Sequence, residues 1–340
     1  MKKKFWAILI AVTMVATVAL GLAGCRNNEP SEEINKASGD YGSTSTDEQR
    51  MTSSDKSDIS IGETETTSAN KSNTSTDESE ISSEQGDAGD DKKEDAFATD
   101  ISAFDYTIIE NEVCITGLKD TSLTEIVIPS KIEGCPVTSI GNEAFSKRNS
   151  LSSIELPNTI TSIGDLAFYY CSSLGSIKLP NTVTSIGNEA FFNCRSLSSI
   201  ELPNTVTSIG YGAFFCCSSL STIELPNAVT SIGYYAFDNT PWLYQQQMQT
   251  NYLVIGKVLY WVSKDMVGTF VVPEGVTSIG DYSCSGCRSL SSIELPNTVT
   301  NIGDYVFDGC INLSSIIAPK GSYAEEWALN SGYAVTNPVQ

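Results

Sequence analysis

Apolar and polar positions follow one pattern along most of the chain, and residues 151–173 show a single unit of it. The apolar residues of this unit are Leu151, Ile154, Leu156, Ile160, Ile163, Phe168 and Cys171. The first three alternate with polar residues, which is typical of a strand with one buried face. Pro157 and Asn158 are residues that favour a turn, so they are expected to end that strand. After Gly164 the segment 165–170 is long enough for about one helical turn, which would carry Phe168 inward.

The same pattern returns every 23 residues, so the unit is one repeat of a longer array. The proline positions that mark this period are Pro157, Pro180, Pro203 and Pro226, with a return to the register at Pro273, Pro296 and Pro319. One unit cannot bury its own apolar side, but stacked units share a continuous core. The pattern therefore predicts an α/β solenoid of roughly ten coils, about 50 Å long at the usual strand spacing. We expect parallel ladders at the IxL and TSI segments and short helical turns at the AF segments.

The consensus LxxIxLPxxVxxIGxxAFxxC resembles the leucine-rich repeats of BspA-type bacterial surface proteins. The resemblance covers roughly Asp105 to the C-terminus. Seven units carry the Ile-Gly step, at Ile140, Ile163, Ile186, Ile209, Ile232, Ile279 and Ile302. The resemblance implies a right-handed solenoid with a parallel sheet on its concave face. It also implies an exported protein, since members are exported and several are linked to adhesion to host molecules or other cells.

The folded array is predicted to span residues 101–340, with an atypical cap at each end. In the N-terminal cap, residues 101–138, two strands are predicted at 104–109 and 113–116 around a short turn. In the C-terminal cap, residues 320–340, Ser322 and Glu325 form a capping-box pattern that opens a helix to about Asn330. Gly332 is placed to end this helix, and we expect the helix to cover the last coil.

Residues 238–272 break the repeat and form an irregular unit. The polar segment 244–249 could be helical, and residues 252–255 and 258–262 predict a hairpin across Gly256-Lys257. Large aromatic residues gather here, whereas the regular surface offers the same small side chains at each step. Because insertions in repeat arrays often map to the binding face, we predict a binding surface that includes Trp242, Tyr244, Tyr260 and Trp261.

The first 25 residues have the pattern of a bacterial export signal. Three lysines precede an apolar stretch that ends in Leu22-Ala23-Gly24-Cys25. This ending resembles a lipobox, which implies lipidation of Cys25 and attachment to the outer side of a membrane. Residues 26–100 follow as an acidic Ser/Thr-rich tether, with seven Lys/Arg against twenty Asp/Glu and almost no large apolar residues. Such a composition cannot form a core, so we expect a disordered spacer.

Charge and composition exclude several classes of function. The chain carries a net charge of −21, which makes nucleic acid a poor partner. It contains no histidine, which removes Ser-His-Asp and Cys-His mechanisms and every imidazole metal site. We therefore expect neither a cofactor nor a metal, and a protein that is not an enzyme.

Five cysteines recur at one repeat position, namely Cys171, Cys194, Cys217, Cys287 and Cys310. Their side chains point the same way from stacked coils, so we interpret them as buried free thiols rather than disulfides. The pair Cys284-x-x-Cys287 also fits core packing, because Cys284 occupies the position of Phe307 and no second pair has metal spacing. In the N-terminal cap, Cys114 and Cys135 could form a disulfide, but their spacing in the sequence does not fix the distance between them, so the pairing stays open.

Charged residues lie between the inward Ile and Leu of successive strands, at Glu155, Lys178, Glu201, Glu224 and Glu294. They are expected to line the concave face as a solvated or binding row. Carboxylates about 5 Å apart also match the spacing of retaining glycosidases, but any parallel ladder gives that spacing. A glycan hydrolase that uses this glutamate column is therefore the least favoured function.

Aromatic residues cluster at the AF segments, where either an interaction surface or packing between coils would explain them. They are Tyr169, Tyr170, Phe192, Tyr211, Phe215, Tyr234, Tyr235, Tyr282 and Tyr305. Together, the export pattern, the tether and the repeat array predict a lipid-anchored cell-surface protein that binds an extracellular protein, in adhesion to host or other cells. The alternative is a carbohydrate or cell-wall binding module that uses the aromatic irregular unit.

Overall fold

The computed structural model describes residues 98–338. The predicted export signal with Cys25, and all of the tether but its last three residues, lie outside this range. Within residues 98–338 no helix is long and apolar enough to cross a membrane.

The described chain is built from short strands and two helices. The strands of the N-terminal part are β1 Phe104–Ile109, β2 Glu112–Leu118, β3 Glu125–Val127, β4 Lys131–Ile132, β5 Cys135–Ile140, β6 Ser153–Glu155, β7 Ser162–Ile163, β8 Ser176–Lys178, β9 Ser185–Ile186, β10 Ser199–Glu201, β11 Ser208–Ile209, β12 Thr222–Glu224 and β13 Ser231–Ile232. The remaining elements are α1 Pro241–Gln249, β14 Tyr252–Ile255, β15 Val258–Val262, β16 Gly268–Val271, β17 Ser278–Ile279, β18 Leu290–Glu294, β19 Asn301–Ile302, β20 Ser315–Ile317, α2 Tyr323–Asn330 and β21 Ala334–Thr336. A 3₁₀ turn at Ile101–Ala103 precedes β1.

Each regular coil contributes one strand to each of two parallel ladders, as the sequence predicts. In the ladder of the TSI segments, β5, β7, β9, β11 and β13 follow one another in register. Ile163 of β7 pairs with Ile186 of β9, one period later. The IxL segments pair in the same way but in two separate groups, β3 with β6 and β8, and β10 with β12. The period of the sequence is therefore the period of the fold.

The AF segments, expected as short helical turns, are chains of hydrogen-bonded turns. Leu166 and Tyr170 have φ values of 58° and 59°, so left-handed residues interrupt the segment at positions four residues apart. Alternate amides bond the next coil, as when the Phe168 N–H donates to the Ala190 carbonyl at 2.7 Å. This pattern extends the ladder around the corner, and no α-helix can form because its amides would have to bond within the segment.

A stack of phenylalanine rings fills the centre of the regular coils. The rings of Phe145, Phe168, Phe191, Phe214 and Phe237 are fully buried, and successive centroids lie 5.1–5.5 Å apart with planes within 8° of parallel. The glycine of the Ile-Gly step permits this close stacking of coils. A Cβ added at Gly187 would lie 2.4 Å from the backbone carbon of Gly164, far inside contact distance. The repeated Ile-Gly step is thus a requirement of coil spacing.

The irregular unit contains the predicted hairpin and a helix that begins earlier than expected. Thr240 caps α1 by accepting from the Leu243 N–H at 3.2 Å, and Pro241 occupies the first helical position. Strands β14 and β15 pair antiparallel. Side chains of β15 contribute to two different hydrophobic clusters, Val258 and Tyr260 to one and Leu259 and Val262 to the other. The hairpin therefore divides the core into two parts.

The predicted strand pair and capping-box helix are present at the two ends of the described chain. Strands β1 and β2 form the antiparallel pair that opens the domain. At the other end Ser322 accepts from the Glu325 N–H at 3.1 Å, and the Glu325 carboxylate accepts from Gly321. Gly332 has a φ of 82°, as a helix-ending glycine should. Ala324 and Ala328 of α2 are buried against the last coil.

Candidate functional site

The charged row of the IxL ladder, here called the acidic row, consists of Glu155, Lys178, Glu201 and Glu224. All four residues are exposed, because each follows the inward isoleucine of its strand and side chains alternate between faces. Glu155 lies opposite Lys178 in the register of the ladder. Glu201 lies opposite Glu224, so two like charges are neighbours. Glu294, at the same repeat position, is only partly exposed. The row presents a solvent-facing line of charge with one matched and one mismatched pair.

The aromatic residues of the irregular unit do not form one surface. Trp242 and Tyr260 are only 7% and 8% exposed, and their ring centroids lie 5.1 and 5.7 Å from that of Phe237. They close the end of the phenylalanine stack, since the irregular unit brings no further phenylalanine to that position. The predicted role of Trp242 and Tyr260 as surface contacts is therefore wrong. Trp261 is half-buried against the same cluster, and Tyr244 is 64% exposed.

An acidic group lies at this closing point. The Tyr260 hydroxyl donates to the Asp238 carboxylate at 3.2 Å and accepts from the Phe237 N–H at 3.2 Å. Burial raises the pKa of Asp238 to about 6, although the Tyr260 hydrogen bond and Lys264 favour the charged form. The nearby carboxylate adds to the burial that raises the pKa of Tyr211 to about 12. The junction between regular coil and irregular unit thus holds a carboxylate that costs stability at neutral pH.

A cleft beside Tyr244, here called the Tyr244 cleft, was not predicted from the sequence. Its volume is about 530 Å³, and its lining includes Arg195, Ser218, Asn239, Pro241 and Tyr244. Arg195, Ser218 and Pro241 are spaced 23 residues apart, so they occupy the same repeat position in three successive coils. One sequence feature marks this position, because an arginine directly follows the column cysteine only at Arg195 and Arg288. The sequence does not show, however, where α1 leaves the array, and the cleft depends on that.

The outer aromatic residues mainly pack between coils. The ring centroids of Tyr169, Phe192, Phe215 and Tyr235 follow one another at 5.1, 5.1 and 5.6 Å. The two phenylalanines are buried in this contact. These distances favour lateral packing over the alternative of an interaction surface. Tyr305, at the far end of the same face, is 56% exposed.

The column cysteines are free thiols, as predicted, and all are buried except Cys310, which is partly exposed. The thiols of Cys171 and Cys194 donate to the carbonyls of Phe145 and Phe168 at 3.0 and 3.2 Å. Burial raises the pKa of Cys171 to about 12, so its thiol is not a nucleophile at neutral pH. Cys114 and Cys135 are free thiols and form no disulfide. No group of three potential metal ligands occurs among residues 98–338.

This combination of stacked coils, in-register ladders and exposed rows defines a leucine-rich-repeat solenoid. The BspA type leucine-rich repeat region matches residues 138–267 and 255–335 of the chain in six copies. The chain belongs to this family, whose members are repeat proteins rather than a recognised class of catalysts. No curated protein sequence matches it.

Several solved structures are similar to the chain. The leucine-rich repeat protein TpLRR of T. pallidum is 27% identical, with a TM-score of 0.45, over 70% of this chain and 98% of that one. A leucine-rich cell surface protein of Faecalibacterium prausnitzii is 24% identical, with a TM-score of 0.36, over 66% and 83% of the two chains. The pneumococcal vaccine antigen PcpA is 17% identical, with a TM-score of 0.34, over 64% and 80%.

Proposed function

We propose that the protein is an exported lipoprotein that presents its repeat array at the bacterial surface for binding to extracellular proteins, in adhesion to host or other cells. Lipidation at Cys25 would hold it to the membrane, and residues 26–100 would hold the array away from the lipid. The observation that carries the binding role is the acidic row, which exposes charged side chains on the IxL strands of four successive coils, paired as β6 with β8 and β10 with β12.

The shape and charge of the acidic row favour a protein partner with a basic patch. Steps of about 4.8 Å along the ladder give the four residues a length of about 14 Å, which suits a protein surface. Glu201 and Glu224 repel each other in the free array, and like charges opposite each other destabilise a sheet. A lysine or arginine of a partner placed between them would remove this repulsion. The net charge of −21 would also speed the approach of a basic partner.

We infer a binding function rather than hydrolysis by the glutamate column. Glycoside hydrolysis needs two carboxyl groups whose environments separate their acid and base roles. Glu201 and Glu224 occupy equivalent, exposed positions of successive strands. Equivalent surroundings give neither carboxylate a distinct role, so they suit recognition of a positive partner.

The experiment is to measure binding of the full-length chain to a panel of immobilised extracellular matrix proteins. We expect saturable binding to at least one protein, weakening as salt rises because exposed charges are screened. The double variant Glu201→Lys/Glu224→Lys should lose that binding. A matched control, Glu274→Lys/Glu326→Lys, makes the same change of charge at exposed sites outside the row. Absence of saturable binding across the panel, or equal losses in both variants, would contradict the proposal.

Lipid anchoring is tested separately in cells. Growth with labelled palmitate should label the wild-type protein, and Cys25→Ala should abolish both the label and membrane association. A labelled Cys25→Ala protein would show that lipid is attached elsewhere.

A further inference from the structure

We infer that the open edge of strand β1 pairs with the same edge of a second copy of this chain, so that two arrays join end to end at their N-terminal caps. The inference goes beyond the proposed protein-binding function, because it concerns contact between copies and does not use the acidic row. Strand β1 is the first strand of its sheet and pairs with β2 alone among the described strands. Its other edge therefore has no partner strand within residues 98–338.

The register of the sheet shows which backbone groups of β1 point to this open edge. The Gly141 N–H donates to the Ile115 carbonyl at 2.7 Å, so the peptide groups of Ile115 face the β5 side of β2. Tyr106 lies opposite Ile115, and Ile108 lies two residues further along β1. Two residues opposite each other in an antiparallel pair either bond each other or both point their peptide groups away. Tyr106 and Ile108 therefore direct their N–H and C=O groups outward.

Two other sheet edges at the ends of the array are protected in ways that this one is not. At the first strand of the IxL segments, the Thr99 N–H donates to the Val127 carbonyl of β3 at 2.9 Å, so the preceding chain covers that edge. At the C-terminal end, β21 is only three residues long. Strand β1 has six residues, and Ile108 and Ile109 are 38% and 67% exposed. Proteins shorten, cover or charge their edge strands because open edges pair with other strands, so this edge indicates a partner strand.

The second half of β1 is complementary to itself when two copies run antiparallel. Its register with β2 shifts between Asp105 and Tyr106, so regular pairing begins at Tyr106. Placing Tyr106 opposite Ile108 of the second copy uses both outward residues and makes about four backbone hydrogen bonds. Thr107 then faces Thr107 of the second copy on a two-fold axis, and such threonine pairs stabilise antiparallel strands. The Asp105 carboxylate lies 3.6 Å from the Lys119 amino group of its own chain, so the charge nearest the contact is already paired.

The position and the charge of the rest of the chain also favour a second copy in this arrangement. Residues 1–97 lie outside the described range and join it at Ala98, shortly before β1. Pairing at β1 places the two joins close together, so both copies can be anchored in one membrane as proposed. The two arrays then extend in opposite directions, which keeps their acidic rows apart. For a chain with a net charge of −21, contact side by side would bring like charges together.

The first test is sedimentation velocity of the full-length chain over a range of concentrations. We expect the sedimentation coefficient to rise with concentration towards that of a dimer, because pairing of one short strand makes a small and weak interface. Dimers should become stronger as salt rises, since salt screens the repulsion between two acidic chains, whereas matrix-protein binding should weaken. A monomer at every concentration and salt level would overturn the inference without affecting the proposal for the acidic row.

Charge variants at the two-fold axis locate the contact. Thr107→Lys and Thr107→Glu each change an exposed residue, and each should abolish the dimer because like charges then meet on the axis. A mixture of the two variants should form dimers again, with one copy of each variant. Thr116→Lys, at an exposed threonine of β2, is the matched control and should leave dimer formation unchanged. Thermal unfolding of each variant confirms that it is folded. Dimers in either Thr107 variant alone, or no dimers in their mixture, would overturn the inference.

Discussion

The regular coils and the irregular unit solve the same packing problem in different ways. In the regular coils each period adds one phenylalanine to a stack of nearly parallel rings. In the irregular unit Trp242 and Tyr260 meet Phe237 at steep angles and end the stack. A repeat can extend its core only while it supplies the same side chain at the same place. Where it stops, large aromatic residues must close the core, and the chain that carries them creates the non-periodic surface on which the Tyr244 cleft lies.

The largest loss of stability is expected for Phe191→Ala, in the regular coils. Phe191 is fully buried between Phe168 and Phe214, with centroids at 5.1 and 5.2 Å. We expect a loss of about 3–5 kcal/mol in the free energy of unfolding, measured by urea denaturation. Tyr305→Ala, at an exposed aromatic residue, is the control and should change it by less than about 0.5 kcal/mol. Similar losses in the two variants would show that the ring stack is not the main source of stability.

A pair of substitutions on α1 tests the irregular half. Trp242→Ala should lower the free energy of unfolding by about 3 kcal/mol because it opens the end of the stack. Tyr244→Ala, two residues away and exposed, should have little effect on stability. In the folded fraction, Trp242→Ala should keep its affinity for a matrix protein. A stable Trp242→Ala protein would contradict the closing role assigned to this side chain.

The junction carboxylate should make stability depend on pH. The pKa of Asp238 rises from 3.8 to about 6 on folding, so its stabilising contribution is present below pH 3.8 and is lost as pH rises through 6. Replacing it by Asn keeps an acceptor for Tyr260 and should raise the free energy of unfolding at pH 7, by about 3 kcal/mol at most. The groups around it that also carry charge or titrate are Lys264, Tyr211, Tyr234 and Tyr260.

The measurement is urea denaturation of wild type and Asp238→Asn at pH 7 and at pH 3.5. The difference between the two proteins should largely vanish at the lower pH. A difference that stays constant across this range would show that Asp238 does not titrate on folding.

The smallest expected effect concerns the acidic row. Glu224→Lys places a positive charge opposite Glu201, in the same arrangement as Lys178 opposite Glu155. We expect it to stabilise the fold by about 0.2–1 kcal/mol, and less at high salt. The reverse change, Lys178→Glu, should destabilise by a similar amount. Thermal unfolding at two salt concentrations checks both, and equal unfolding temperatures at low salt would show that these charges do not interact.

The repeat itself could be predicted from sequence because the period fixes which residues stack. The Ile-Gly step, the in-register ladders and the cysteine column all follow from one spacing. The AF segments were predicted as short helical turns because six residues fit either a helical turn or a chain of turns. The residue types of Leu166 and Tyr170 do not indicate their left-handed φ values, so the chain of turns could not be predicted.

The candidate sites show the same limit. Exposure of the acidic row follows from strand alternation, so it was predictable. The fate of Trp242 and Tyr260 was not, because their burial depends on where the phenylalanine stack ends in space. The Tyr244 cleft joins Arg195 to a residue 49 positions later. Periodicity relates positions 23 apart, but it does not say how α1 folds back over the array.

The most direct test of the account is hydrogen–deuterium exchange of the full-length chain with and without a matrix protein that it binds. We predict slower exchange of the backbone amides in β6, β8, β10 and β12, which carry the acidic row. The amides of β14 and β15, which close the core, should exchange at unchanged rates. Protection confined to residues 252–262, with none in the strands of the acidic row, would contradict the claim that this row binds proteins while the irregular unit closes the core.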